Sequence, residues 1–307
     1  MRGGERRSGS SWSVCLRRDS ISLRFTAAAK VFILFGDPVA HSLSPVMQNA
    51  ALQAAGIDGL YIPWRVQSAG LPAAFESLRG MENFGGANVT IPHKEQAFAL
   101  VDTLTKEAAA VGAVNTIVAR GGRLLGANTD GQGFLRSLQE EADFLPCGKR
   151  VVIFGAGGAA RAVSFSLAEA GAVELTIVNR TVERAQSLAE FVDRETGVSA
   201  IGLGPDDPHI PARVRDCTLV VNTTSVGLGP SDPPPIDPAL LRPGALVYDL
   251  IYRPRETALL REAEKRGCRA LGGLGMLLYQ GALAFALWTG QTPSEEAMRQ
   301  AVVDVIA

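Results

Sequence analysis

The chain has 307 residues, of which 47% are hydrophobic and 20% charged, and its formal net charge at pH 7 is −1. This length and composition indicate a globular protein with enough apolar residues for two domains. The balanced charge argues against a nucleic-acid or membrane surface, and no apolar run reaches the roughly 18 residues that a membrane span needs.

Residues 1–28 differ in composition from the rest of the chain. They are rich in Arg, Ser and Gly, and their only acids are Glu5 and Asp19. A targeting peptide has such a composition, but the segment lacks a clear amphipathic pattern. A disordered extension, or a start codon placed too far upstream, is therefore the preferred interpretation. We expect a cytoplasmic protein and no contribution of residues 1–28 to the fold.

Residues 29–130 are predicted to form a first α/β domain with a mixed sheet. Short apolar runs alternate with helical patterns. The predicted strands are 31–36, 61–66, 86–90, 114–118 and 123–126, and the predicted helices are 45–55, 71–79 and 94–100. The last two strands flank Gly121 and Gly122, which predicts a hairpin.

Residues 131–272 are predicted to form a second domain with a doubly wound, Rossmann-like sheet. A helix at 131–141 leads into it. The predicted strands are 151–154, 174–179, 217–222, 244–249 and 269–271, and the predicted helices are 159–170, 182–195 and 256–265. Two further helices, 276–289 and 294–306, belong to residues 273–307 and are expected to fold back on the first domain.

The cysteines and histidines show no metal-binding or disulfide pattern. They are Cys15, Cys147, Cys217, Cys268, His41, His93 and His209. No C-x-x-C pair occurs and the histidines lack metal-ligand spacing. We predict no metal, and a reducing compartment is the simplest interpretation.

A glycine turn follows the predicted strand 151–154 and reads Gly155-Ala156-Gly157-Gly158-Ala159. Gly155 allows a tight turn, Gly157 lets the backbone approach a pyrophosphate, and the helix that follows presents free N–H groups. Ala160 stands where the usual pattern has a third glycine, so we expect the helix to lie slightly further from the sheet. The strand-turn-helix context predicts a dinucleotide site.

The end of the next strand indicates which dinucleotide binds. Asn179-Arg180-Thr181 stands where an NAD site usually has Asp or Glu, and Arg184 follows one turn later. Two guanidinium groups suit a dianionic phosphate, which favours NADP(H) over NAD. The alternative is that both arginines are solvated charges at a helix start.

The polar run that contains Ser42 and Ser44 is the first candidate for a substrate site in the first domain. Ser42 and Ser44 lie two residues apart, so in an extended stretch both hydroxyls face one way and suit a carboxylate. Taken alone, a serine before Pro45 is more often an N-cap.

A lysine and a carboxylate end the next polar runs. Lys94 follows Asn88 and Thr90, while Asp130 ends the run 126–130. By themselves, Lys94 suggests a solvated lysine, and Asn115 and Asp130 suggest Asx turns at strand ends. Combined with a dinucleotide turn, a lysine and a carboxylate suggest proton transfer coupled to hydride transfer.

These segments together resemble the shikimate dehydrogenase family, in the family's order, from about residue 31 to the C-terminus. The similar segments are 36–38, 41–45, 88–94, 112–116, 126–131, 155–162, 179–181, 222–227, 249–252 with Pro254 and Thr257, and 273–280. The departures are Gln48, where the family often has His, and Gly272, where Asp is common. Neither touches the predicted catalytic pair.

The resemblance implies a role for each candidate residue. Lys94 and Asp130 would be the catalytic pair. Ser42, Ser44 and Tyr252 would hold the substrate carboxylate, and Thr90, Asn115, Asp130 and Gln280 would hold the ring hydroxyls with Lys94. The cofactor would be bound by Gly155, Ala156, Gly157, Gly158, Ala159, Asn179, Arg180, Thr181 and Arg184, with Leu250 and Gly273 bordering the nicotinamide.

The resemblance also implies a reaction: NADPH-dependent, reversible reduction of 3-dehydroshikimate to shikimate, in the shikimate pathway of chorismate and aromatic amino acid biosynthesis. The alternatives are a quinate/shikimate dehydrogenase, possibly using NAD, and a non-catalytic sensor that binds NADP and shikimate. The expected partner is a small-molecule substrate, with the protein a monomer or homodimer.

Overall fold

The computed structural model describes residues 25–229 and 231–306. The predictions for residues 1–24, including Cys15, lie outside these ranges. Two six-stranded sheets organise the described chain, each covered by helices on both faces. In the part described, no helix is both long and apolar enough to cross a membrane.

The first sheet is mixed, and its strands lie in the order β2-β1-β3-β5-β6-β4. Its elements are β1 (Lys30–Gly36), α1 (Ser44–Ala54), β2 (Gly59–Arg65), α2 (Leu71–Arg79), β3 (Phe84–Val89), α3 (Lys94–Phe98), β4 (Thr103–Leu104), α4 (Lys106–Val111), β5 (Thr116–Arg120) and β6 (Arg123–Ala127). Strand β1 pairs in parallel with β2 and β3, whereas β5 runs antiparallel to both β3 and β6.

The second sheet is entirely parallel, in the order β12-β11-β10-β7-β8-β9. Its elements are α5 (Asp130–Ala142), β7 (Arg150–Phe154), α6 (Gly158–Glu169), β8 (Glu174–Val178), α7 (Val182–Thr196), β9 (Ser199–Leu203), α8 (Ile210–Asp216), β10 (Leu219–Asn222), β11 (Leu246–Asp249), α9 (Ala258–Lys265) and β12 (Arg269–Gly272). The winding reverses between β7 and β10, and ligands of such sheets bind at that switch point.

The alternation of apolar side chains explains the layers. Along β1, Phe32 and Leu34 pack on one face with Met47 of α1, while Ile33 and Phe35 pack on the other face with helix α2. Helices α10 (Leu274–Thr289) and α11 (Glu295–Ile306) complete the first of these faces. The predicted fold class is therefore confirmed, including the return of the C-terminal helices to the first sheet.

Among the described residues, two strands and two α-helices were not predicted: β4, β9, α4 and α8. Helix α4 carries both of its boundary signals, because the Thr105 hydroxyl caps its start and Gly112 ends it in the left-handed region at φ +69°. Strand β9 is harder to recognise. Its Gly202 is required because a Cβ there would lie 2.3 Å from the Ala185 carbonyl carbon of α7.

Candidate active site

Lys94 and Asp130 form an ion pair at the end of the first sheet where strands β3 and β6 terminate. Lys94 begins α3 after β3, and Asp130 begins α5 after β6. The Lys94 Nζ atom lies 2.6 Å from Asp130 Oδ2, with side-chain exposures of 14% and 6%. The N-terminus of α5 favours a negative charge at Asp130. The pair therefore places a proton-carrying group and a carboxylate that orients it in one mostly buried position.

Asn115 fixes the second oxygen of Asp130. Its Oδ1 atom accepts the Thr129 backbone N–H at 2.9 Å, and since a backbone N–H can only donate, the amide orientation is set. The amino group then donates to Asp130 Oδ1 at 2.8 Å. Asn115 precedes β5, which runs antiparallel to β3, so it lies at the same sheet edge as the residues that follow β3 and β6.

Asn88 and Tyr61 extend this buried network, and neither was among the predicted site residues. The Tyr61 hydroxyl donates to Asn88 Oδ1 at 2.9 Å, and Asn88 Nδ2 donates to the Asn115 carbonyl at 3.1 Å. Burial raises the pKa of Tyr61 well above its usual value, so the phenol remains a donor. Asn88 is visible as a polar residue in an apolar strand, but an aromatic residue such as Tyr61 in a strand is ordinarily core.

The other predicted ring-binding residues lie around the same edge. Gln280 of α10 lies next to Asn115, with its Oε1 atom 3.4 Å from Asn115 Nδ2. A Cβ at Gly133 would lie 2.6 Å from the Gln280 backbone nitrogen, so α5 and α10 cross closely here. Thr90 lies in the turn before α3, where its backbone N–H donates to the Phe35 carbonyl. The structure thus brings Thr90, Asn115 and Gln280 to one sheet edge.

Ser42 and Ser44 lie near one another, but the expected extended stretch is wrong. Ser44 is the first residue of α1, and Leu43 between the two serines has αR backbone angles. The Ser42 hydroxyl accepts the Ser44 backbone N–H at 3.2 Å, which is the local turn bond that serines favour before a helix. The two hydroxyls are therefore placed by a turn and a helix start.

Tyr252 reaches Ser42 from the second sheet. It follows β11, and its hydroxyl lies close to the Ser42 side chain and the Leu43 backbone. Burial raises the pKa of Tyr252, and these polar neighbours only partly offset that effect. The phenol therefore stays a neutral O–H donor at neutral pH, which suits a carboxylate acceptor.

The glycine turn lies at the switch point of the second sheet. Gly155 has φ +112°, and a Cβ there would lie 2.3 Å from Thr223 Oγ1. Thr223 follows β10 and donates its backbone N–H to the Phe154 carbonyl at 2.8 Å. Nothing lies within 4 Å of a Cβ built at Gly157. The open backbone at the start of α6 fits a pyrophosphate, because free N–H groups and the helix dipole both favour an anion.

The residues predicted to bind the adenosine phosphate lie beside this turn. Asn179 and Thr181 form a closed turn after β8, with Asn179 Nδ2 donating to the Thr181 carbonyl at 2.9 Å. Arg180 and Arg184 are exposed, and the Arg184 Nη2 atom lies 3.9 Å from the Glu95 carboxylate of α3. Two exposed guanidinium groups fit a phosphate dianion.

The ion pair and the glycine turn are adjacent. A Cβ built at Gly158 would lie 3.5 Å from both Cβ and Cδ of Lys94, so the aliphatic part of the lysine lies against the start of α6. Any dinucleotide bound at this turn therefore lies next to a proton-carrying side chain. This juxtaposition is what reduction of a carbonyl group by hydride requires.

Leu250 and Gly273 follow the adjacent strands β11 and β12 of the second sheet and pack backbone against backbone. A Cβ at Gly273 would lie 2.0 Å from the Leu250 carbonyl oxygen, whereas at Gly272 the nearest atom is 3.5 Å away.

We expect Gly273→Ala to destabilise the protein by about 1–3 kcal/mol, as overpacking does, with Gly272→Ala close to wild type. Chemical unfolding of both variants measures this, and equal destabilisation would contradict the assigned contact.

Asp249 is a buried carboxylate that joins two of the loops around the site. Its Oδ1 atom accepts Asn222 Nδ2 at 2.9 Å and the Ile251 N–H at 3.1 Å, and its Oδ2 atom accepts the Thr257 hydroxyl at 2.7 Å. Asn222 in turn donates to the Val226 carbonyl. Burial raises the pKa of Asp249 despite these three hydrogen bonds.

This shift predicts a pH dependence of stability. A carboxyl group with a raised pKa in the folded state contributes stability below its ordinary pKa, and that contribution is lost as pH rises through the folded value. The unfolding free energy of wild type minus that of Asp249→Asn should therefore fall as pH rises. Urea unfolding between about pH 4.5 and 8 tests this, and a difference that grows with pH would contradict it.

Comparison with known proteins gives a consistent set of similarities. Three family models match: the shikimate dehydrogenase substrate binding domain at residues 34–117, shikimate/quinate 5-dehydrogenase at 140–204, and the shikimate 5'-dehydrogenase C-terminal domain at 273–303. A shikimate dehydrogenase (NADP(+)) of Methanopyrus kandleri is 47% identical over 289 residues, covering 93% of this chain and 99% of the relative.

Solved structures agree with the sequence comparison. A crystal structure of a shikimate dehydrogenase in complex with NADP+ has a TM-score of 0.85 at 39% identity, covering 92% of this chain and 98% of the other. The shikimate 5-dehydrogenase of Thermus thermophilus, solved with NADP(H) and shikimate, has a TM-score of 0.79 at 41% identity, covering 90% and 99%.

Proposed function

The chain belongs to the shikimate dehydrogenase family, and from this we propose that it catalyses the reversible, NADPH-dependent reduction of 3-dehydroshikimate to shikimate, a step of chorismate and aromatic amino acid biosynthesis. The observation that carries the proposal is the Lys94–Asp130 pair, with its 2.6 Å contact, beside the turn at Gly158. The protein is an oxidoreductase that acts on a CH–OH group and uses NADP(H) as its cofactor.

We assign the proton transfer to Lys94. Bound NADPH supplies a hydride to the carbonyl carbon of the substrate. Lys94 gives a proton to the carbonyl oxygen, where negative charge develops, and takes it back in the reverse direction. Asp130 holds the amine through Oδ2, and Asn115 holds Asp130 through Oδ1, so the lysine is oriented before the substrate binds. General acid–base help of this kind contributes about 10²- to 10⁴-fold in rate.

The remaining polar residues divide between the two ends of the substrate. Ser42, Ser44 and Tyr252 form the end that we assign to the carboxylate, because three hydroxyl groups meet there beside the start of α1. Thr90, Asn115 and Gln280 form the end that we assign to the ring hydroxyls. Amide and hydroxyl side chains can both donate and accept, which matches a polyhydroxylated ring.

We assign the cofactor to the domain that contains the second, parallel sheet. The turn 155–159 and the start of α6 would bind the pyrophosphate, residues 179–184 the adenosine phosphate, and Leu250 with Gly273 the nicotinamide side. In this assignment residues 29–130 form the substrate domain, residues 131–272 the NADP domain, and residues 273–307 return to the substrate domain with Gln280.

Kinetics on four substrate pairs test the proposal against its alternatives. The values of kcat/KM for shikimate and quinate, each with NADP and with NAD, should be largest for shikimate with NADP. Comparable turnover of quinate, or of NAD, would instead identify a quinate/shikimate dehydrogenase. A protein that binds NADP and shikimate without turning either over would be the non-catalytic sensor.

A further inference from the structure

Arg161 bridges the two α/β units at a point away from the ion pair. It lies in the first turn of α6, directly after the glycine turn, and its Nε atom donates to the carbonyl oxygen of Val111, the last residue of α4. On its other side, the guanidinium carbon lies 3.8 Å from the centroid of the Phe191 ring of α7. A planar cation is therefore held between a ring of one unit and a helix end of the other.

The end of α4 is suited to receive this cation. Gly112 ends the helix in the left-handed region, and the last carbonyls of a helix attract positive charge. A Cβ at Gly112 would lie 3.1 Å from Arg161 Nη2, so the guanidinium lies flat against the glycine. Around it, Val111, Ala113 and Ala162 form a small buried apolar cluster. Burial lowers the pKa of Arg161, as expected for a cation in this setting.

The segment that Arg161 holds, residues 112–115, contacts both members of the catalytic pair. The Val114 backbone N–H donates to the Lys94 carbonyl at 2.9 Å. The Ala113 carbonyl accepts Asn128 Nδ2 at 2.9 Å, and Asn128 Oδ1 accepts the Asp130 backbone N–H at 3.1 Å. Asn115 then ends the segment with its hydrogen bond to Asp130 Oδ1.

We propose that Arg161 is a positioning residue for the reaction assigned above: its contact with the end of α4 fixes segment 112–115, and thereby Lys94 and Asp130, relative to the cofactor-binding helix α6. The proposal rests on the proposed function. It makes the geometry of the proton-transferring pair depend on a residue of α6 whose side chain contacts Val111 and Phe191.

Substitution of Arg161 tests this role against two other roles. Arg161→Lys keeps the charge but loses the planar Nε donor, and Arg161→Met loses both. Both should lower kcat/KM for shikimate by about 10- to 100-fold, as small misplacements of catalytic groups do, with the Kd for NADPH within about twofold of wild type. The matched control is Arg194→Lys, since Arg194 lies 5.7 Å from the same ring and pairs with exposed Glu195 of its own helix.

The other outcomes are distinct. A rise in the Kd for NADPH that matches the loss of kcat/KM would overturn the proposal and make Arg161 a cofactor ligand. A lower Tm with unchanged kinetic constants would overturn it in favour of a purely structural role.

A second measurement does not require activity. Amide hydrogen exchange at residues 112–115 should be faster in Arg161→Lys than in Arg194→Lys, because the segment has lost its anchor. Equal exchange rates would overturn the proposal. If wild type itself shows no turnover, the proposed function fails, while the exchange comparison still decides whether Arg161 holds the segment.

Discussion

Lys94→Met is expected to lower kcat for shikimate oxidation by about 10²- to 10⁴-fold, the usual range for loss of a general acid–base group, while the affinity for NADPH stays near wild type. Methionine keeps most of the aliphatic stem that lies against Gly158. What it removes is the Nζ atom, which contacts Asp130 and which we propose as the proton donor. Steady-state kinetics combined with a fluorescence titration of NADPH separate the two effects.

Two further variants sharpen this prediction. Lys265→Met removes an exposed lysine that forms an ion pair with Glu262 of its own helix, and it should leave kcat unchanged. If Lys94 and Asp130 act as a unit, Asp130→Asn should lower kcat by a far smaller factor in the Lys94→Met protein than in wild type. A Lys94→Met protein that retains kcat but loses NADPH affinity would refute the role of Lys94 as proton donor.

The double variant Arg180→Ala with Arg184→Ala is expected to remove the preference for NADP. Each charge-assisted hydrogen bond contributes about 1.5–3 kcal/mol, so the loss of both should raise KM for NADP by at least about 100-fold. NAD lacks the phosphate, so its KM should change by less than about threefold. The ratio of kcat/KM for the two cofactors measures the effect directly.

Arg194→Ala serves as the control for this pair, because Arg194 is an exposed arginine on helix α7, which also carries Arg184. It should leave the cofactor ratio at the wild-type value. If kcat/KM fell equally for NADP and NAD in the double variant, Arg180 and Arg184 would support the fold of the site and would not bind the phosphate. The ion pair between Arg184 and Glu95 is exposed and 3.9 Å long, so its loss contributes little.

Much of the site could be predicted from sequence because its key residues stand in local patterns. The turn from Gly155 to Gly158 follows a buried strand and opens a helix, so its position follows from chain order alone. Lys94 and Asp130 were candidates because polar runs end in them. Their 2.6 Å contact could not be predicted from the residues alone, since it depends on how β3 and β6 are arranged around β5.

The residues that sequence reasoning missed act through tertiary contacts. In the sequence, Tyr61 looks like any core residue of a strand. Its role depends on the hydrogen bond that its hydroxyl donates to Asn88, which lies two strands away in the sheet. Arg161 belongs to a glycine-rich motif, but its contact with Val111 requires α4, a helix that the prediction left out. The extended conformation expected at Ser42 and Ser44 was wrong for a local reason, because helix α1 begins at Ser44, one residue earlier than predicted.

The proposed reaction is tested most directly by its stoichiometry, measured with the purified full chain. The protein is mixed with 3-dehydroshikimate and NADPH, the fall in NADPH absorbance is recorded, and the products are separated and identified. We expect one shikimate to form for each NADPH consumed, with consumption slowed at least about 100-fold in Lys94→Met. NADPH that binds but is not consumed, or is consumed without forming shikimate, would contradict it.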